Sequence, residues 1–124
     1  MIGLRAFAVL VAFAAPAMAS EPSLVGNWAR GDGKTRIRVE RCGHNYCASN
    51  TWVKPGTKGE KVGDKLSVKV LSSSSSFMKA EGYDPERNMT YSMRIEVSGK
   101  TMTTRGCIAG GLVCQSMHWK RLSS

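Results

Sequence analysis

The chain has 124 residues, with 18 Lys and Arg against 9 Asp and Glu, and a formal charge of +9. That length holds one domain and excludes a separate cofactor domain. Thirteen glycines, four prolines and 22% charged residues describe a folded chain, not a disordered or collagen-like one.

The chain opens with MIGLRAFAVLVAFAAPAMA over residues 1–19. Arg5 supplies a positive start, and Ala6 to Ala15 is an unbroken apolar run. Pro16 interrupts the run, and Ala17-Met18-Ala19 has the small-x-small order of a cleavage site. An apolar helix of that length spans about 15 Å, half a bilayer core, so a membrane anchor is not expected. The reading is a signal peptide over 1–19, cleavage near Ala19, and one domain over 20–124. The expected address is periplasmic or secreted. Cleavage removes Arg5 alone, which takes Lys plus Arg from 18 to 17 and the charge from +9 to +8.

The rest of the chain reads as strands and turns. The first strand lies near 25–30 and carries Gly26-Asn27-Trp28. Gly31-Asp32-Gly33 is a tight turn. Near 34–41, Thr35, Ile37 and Val39 alternate with Arg36, Arg38 and Glu40. Gly43-His44-Asn45 turns the chain into a third strand near 46–54. Pro55 to Gly63 is a longer polar loop. Near 65–71, Leu66, Val68 and Val70 alternate with Lys65, Ser67 and Lys69. Ser72 to Ser76 is a low-complexity hairpin tip before a strand near 76–83. Asp84-Pro85-Glu86-Arg87-Asn88 is a turn with Pro where its fixed φ fits. Near 88–98, Met89, Tyr91, Met93, Ile95 and Val97 share one face. Ser98-Gly99-Lys100 closes a hairpin into a strand near 100–107. After Gly110-Gly111, Val113, Met117 and Trp119 share a face of a last strand near 113–122. Such alternation marks half-buried antiparallel strands.

Eight strands joined by short turns form an up-and-down meander. Closing it removes both sheet edges, so the expected fold is an all-β, eight-stranded antiparallel barrel, with a two-sheet sandwich as the alternative. Inward Met78, Met89, Met93, Met102 and Met117 would line it, and at this size a mostly filled barrel is expected.

Four cysteines in a small exported domain predict two disulfides. In a meander, the turn between strands two and three and the turn between strands seven and eight lie at opposite ends. A strand of seven residues is about 23 Å long, and bridged Cα atoms lie within about 7 Å. The pairing is therefore local, Cys42–Cys47 and Cys107–Cys114. His44 between the first pair raises zinc, but the usual zinc knuckles are absent and no metal is expected.

Gly26-x-Trp28 opens the first strand and Trp119-x-Arg121 ends the last. In a closed meander these strands are neighbours, so Arg121 can stack on Trp28. This resembles the barrel-closing signature of the lipocalin-like, or calycin, barrels. There Gly26, Trp28, Trp119 and Arg121 would have a structural role. The wider order also includes Arg41-Cys42-Gly43-His44-x-x-Cys47, Trp52, Tyr83-Asp84-Pro85, Arg105-Gly106-Cys107 and Cys114. It resembles an uncharacterised family of small exported bacterial proteins, domain-of-unknown-function family 2147. That resemblance implies a lipocalin-like barrel and a periplasmic address, and no established activity. Between Lys54 and Met78 the chain is shorter than the family pattern and carries the serine run.

No catalytic constellation is legible. The serine run lacks a Gly-x-Ser-x-Gly elbow, and no Gly-rich phosphate loop precedes a helix. Asp32, Asp64 and Asp84 sit beside Gly or Pro, as turn residues do. No cofactor and no enzymatic activity are expected. Lys54, Lys58, Lys61, Lys65 and Lys69 form one basic stretch, and Arg30, Lys34, Arg36, Arg38 and Arg41 a second. Both are solvated surfaces that suit an anionic envelope component. Export and the lack of an aromatic-basic platform argue against nucleic acid. The expected function is a non-catalytic module binding a small apolar or amphipathic ligand. The alternative is an envelope-interaction or inhibitor protein acting through disulfide-rigidified loops and the basic surface.

Overall fold

Period-two alternation builds the whole wall. In a computed structural model, residues 23–122 and the isolated Gly3 are described. Apart from that glycine, the signal-peptide reading over 1–19 lies outside the described residues. The strands are β1 (Gly26–Arg30), β2 (Thr35–Cys42), β3 (Asn45–Val53), β4 (Lys65–Ser73), β5 (Met78–Asp84), β6 (Met89–Ser98), β7 (Thr101–Ile108) and β8 (Val113–Arg121). One 3-10 turn, Ala109–Gly111, joins β7 to β8.

The strands form a closed antiparallel barrel in sequence order. The seam joins β1 to β8 through Trp28–Arg121, Ala29–Lys120 and Arg30–Trp119. Connections β1–β2, β3–β4, β5–β6 and β7–β8 share one end, called the mouth. The other three connections and the ends of the barrel chain share the base. Two bulges adjust the parity. Thr51 is the extra residue where Arg36 faces Trp52 and Ile37 faces Asn50. Leu71 is extra where Val70 faces Ala80 and Ser72 faces Lys79. Each lets its strand turn while inward residues stay inward.

Packing is tightest toward the base. On β6, Ile95 and Val97 are buried, while Met89, Tyr91 and Met93 nearer the mouth are half-buried. Val39, Val68, Met78, Ala80 and Met102 complete the buried layers. Trp28 is fully buried and its indole Nε1 donates to the Leu24 carbonyl at 3.0 Å. The Arg121 guanidinium lies 4.2 Å above the Trp28 ring. Its Nη1 and Nη2 donate to the carbonyls of Val25 and Ser23 at 2.8 and 2.7 Å. Gly26 has φ +143, and a Cβ there would meet Arg121 Nη1 at 2.7 Å. Trp119 belongs to the same seam, but its side chain stands one layer nearer the mouth. There its Nε1 donates to Thr104 Oγ1 at 3.0 Å.

The disulfides are Cys42–Cys47 and Cys107–Cys114, with Cα separations of 5.7 and 4.1 Å. The first staples the β2–β3 turn at the base. The second joins residues directly opposite each other on β7 and β8, near the mouth.

Candidate functional site: an apolar cavity below a charged mouth

The interior is not filled as its length suggests. Four inward wall positions carry little or no side chain: Ala48, Ala80, Gly82 and Gly106. Met93 and Leu66 close in on Gly82, while Ala48 and Gly106 border an apolar cavity of about 270 Å³. Ile37, Val68, Met93, Ile95, Met102 and Trp119 line it, with Tyr46, Tyr91, Thr104 and Gln115 adding polar atoms. Met93 lies against Gly82, where a Cβ would meet its Sδ at 2.6 Å. Beside Gly106 there is room, because a Cβ there would meet only Tyr91 Cδ1, at 3.9 Å.

Above the cavity lies a vestibule of about 660 Å³. The two share Ile37, Ala48, Leu66, Tyr91, Gln115, Met117 and Trp119, so they form one continuous space. The vestibule adds Arg30, Asp32, Glu60, Asp64, Asp84 and Arg87. An apolar floor thus meets a charged rim.

The β3–β4 loop forms a lid over one side of the rim. Arg30 follows Trp28 by two residues, so its side chain points inward at the mouth. Its Nη1 and Nη2 donate to the Glu60 carboxylate at 2.6 and 2.8 Å, and its Nε donates to Asp32 at 2.9 Å. Thr35, 1% exposed, also donates to Glu60, at 3.1 Å. Asn50 accepts from Gly63 N–H at 2.9 Å and donates its own N–H to the Asp64 carbonyl at 2.9 Å. Arg87 donates to the Gly59 carbonyl and, at 2.7 Å, to Asp84. Lys61 pairs with Glu86 at 2.9 Å.

These contacts move the titrations. The hydrogen bond from Arg30 holds Glu60 below its usual range, outweighing burial, and it lowers Asp32 in the same way. Arg30 is raised in turn, chiefly by Glu60. Burial pushes Asp84 up. The Arg87 side chain and the N–H groups of Arg87 and Glu86 more than offset that, and the net direction is down.

One sequence reading is corrected here. Arg30 is not part of a solvated basic cluster, since its side chain is 10% exposed and held by two carboxylates. The polar loop is an ordered lid. The period of two already pointed Arg30 inward. An inward arginine calls for a carboxylate partner, but nothing in the sequence singles out Glu60 as that partner.

The expected basic surface is divided. Lys54 and Lys58 line a second cleft of about 550 Å³ together with Lys34. Lys61 is paired, Lys65 lines the vestibule, and Lys69 stands on the outer wall of β4 opposite Glu81. His44 is exposed at the base. His118 is exposed on the outer wall, where Nδ1 lies 3.3 Å from Thr103 Oγ1. The two disulfide turns are at opposite ends, so they do not form a joint surface. Among the described residues, no three His, Cys, Asp or Glu side chains gather to hold a metal ion, and no helix is long and apolar enough to cross a membrane. The disulfides point to an oxidising, exported location.

No curated protein and no solved structure matches the chain. A family model matches residues 26–121, from the glycine of the base plug to the arginine that closes it. The chain belongs to the family described as uncharacterized protein conserved in bacteria (DUF2147).

Proposed function

We propose that this protein is a non-catalytic binding module for an apolar or amphipathic envelope ligand. It acts in the periplasm after cleavage near Ala19. The observation that carries this reading is the apolar cavity opening into a charged vestibule. A dry cavity of about 150 Å³ takes a benzene ring. By that scale, 270 Å³ takes an apolar segment of roughly ten to twelve carbons. A polar head would then sit in the vestibule, among Arg30, Glu60 and Arg87. Burying such a tail releases ordered water at about 25 cal/mol per Å² of apolar surface. The adaptable Met93, Met102 and Met117 suit a tail without a fixed shape.

The test is native mass spectrometry of protein purified from the envelope without detergent, followed by titration with decanol and dodecanoate. A bound small molecule, or saturable binding of one equivalent of either probe, is expected. A bare chain mass together with no uptake of either probe would overturn the reading. N-terminal sequencing of the same sample is expected to start near Ser20, and a start at Met1 would refute the cleavage.

A further inference from the structure

Lys34, Lys54 and Lys58 converge on the cleft between the β1–β2 turn and the lid. The two segments are tied by the Lys54 N–H, which donates to the Lys34 carbonyl at 2.8 Å. The acids in that cleft, Asp32 and Glu60, are already engaged by Arg30. None of the three ammonium groups forms a salt bridge among the described residues, though the Lys34 charge helps to lower Asp32. The lining sets four cations against two carboxylates, so the cleft presents a net charge of +2.

The same end of the barrel exposes aliphatic side chains. Leu112 is 87% exposed and Val113 57%, both at the disulfide-stapled β7–β8 turn. Val62, at the lid, is 61% exposed. Because β8 neighbours β1, the β7–β8 hairpin rises beside the β1–β2 turn, where Gly31 N–H donates to the His118 carbonyl at 2.7 Å, and its tip stands further out along β8. Apolar tips and a cationic cleft thus share the end where the cavity opens.

We propose that the mouth end docks on an anionic phospholipid bilayer. Lys34, Lys54 and Lys58 take lipid phosphates, and Leu112 and Val113 enter the headgroup–acyl boundary. Charge complementarity selects this partner. Basic side chains attract anionic leaflets, while exposed aliphatics gain from the boundary layer that lies just below the phosphates. The docking does not depend on the cavity being occupied. It places the mouth of the cavity against a source of amphipathic molecules.

The experiment is co-sedimentation of the purified protein with vesicles of phosphatidylglycerol and phosphatidylethanolamine, and with vesicles of phosphatidylcholine. Binding to the anionic vesicles that weakens with salt is expected. Each lysine-to-glutamine change should lower partitioning about fivefold, and the triple variant Lys34→Gln, Lys54→Gln, Lys58→Gln on the order of a hundredfold. Leu112→Asp should lower it roughly tenfold. Leu71, 58% exposed on β4 toward the base, provides the control, and Leu71→Asp should leave binding unchanged. All the substituted side chains lie at the surface, and a thermal melt of each variant checks folding. Equal binding to both vesicle types, equal loss in Leu71→Asp, or no binding would overturn the proposal. Uptake of free inorganic phosphate without vesicle binding would overturn it too. A cavity-blocked variant, Gly106→Leu, should still bind vesicles, so failure of the ligand reading and failure of docking are separable.

Discussion

Arg121 acts on three groups at once, and its contribution can be measured. It stacks on Trp28 and satisfies the carbonyls of Val25 and Ser23. Arg121→Ala removes two charge-assisted hydrogen bonds and the stacking cation, so it should cost about 2–3 kcal/mol in urea unfolding. Gly26→Ala should cost a similar amount, because the φ is unfavourable and the new Cβ displaces the same guanidinium. The double variant should cost clearly less than the two singles together, since one contact is lost twice. Full additivity would mean that Gly26 does not act through Arg121. The Gly-x-Trp and closing arginine were legible because the meander brings its two ends together. The Arg30–Glu60 pair was not, because nothing local links a loop carboxylate to a strand arginine thirty positions earlier. That pair sets an acid limit. Glu60 has an ordinary value of 4.5 and is held lower in the fold. A depressed carboxylate stabilises the fold fully above its unfolded value. The contribution is lost as pH falls through the folded value. Unfolding free energy should therefore hold steady above about pH 4.5 and decline below it. Glu60→Gln should lower stability by about 1–2 kcal/mol at neutral pH and flatten that decline. An unchanged slope in the variant would remove Glu60 from the account.

At the scale of elements, hairpins and their staples carry the argument. Strand limits were readable within two residues because alternation and turn residues coincide at each end. The bulges at Thr51 and Leu71 were not, since an extra residue changes the register without changing the composition. Nor was the ordered lid, whose anchors come from β1, β2, β3 and the β5–β6 turn. The local disulfides were readable from chain geometry alone. Cys107 and Cys114 alternate with inward Gly106 and Gln115, so their bridge lies on the outer wall. Cys47, between Tyr46 and Ala48, does the same on β3. Replacing Cys107 and Cys114 by Ser should then lower stability by about 2.5 kcal/mol, the entropy of a short loop, and leave the cavity intact. Denaturant unfolding and the decanol titration measure the two halves of that statement. A loss of probe uptake in a folded variant would show that the staple shapes the cavity as well as the turn.

For the molecule as a whole, the barrel keeps a space that its own stability would gain from filling. Eight strands enclose an interior that side chains can fill, or that can hold one small ligand. Here the base is packed and the upper half is left open. Alternation identified which residues face inward. The open space followed from which of them are small, and Ala48 and Gly106 lie on separate strands that only the closed register brings around one volume. Gly106 is the informative position. Its φ is not in the left-handed region, its Cβ direction is clear to 3.9 Å, and it sits within β7. A leucine there replaces a glycine that weakens the strand, and it fills part of a 270 Å³ void. Partial filling of an apolar cavity is worth on the order of 1–2 kcal/mol at about 24 cal/mol per Å³. For a domain of this size each kcal/mol moves the melting temperature by roughly 4–8 °C. Gly106→Leu should therefore melt several degrees higher than the native chain while losing uptake of decanol and dodecanoate. This opposition of stability and binding is what a ligand cavity produces, because space kept for a ligand is packing forgone. A variant that melts higher and still binds would place the ligand in the vestibule alone. A variant that melts lower would mean that the wall at Gly106 cannot accept a side chain, and that the cavity is smaller than its lining suggests.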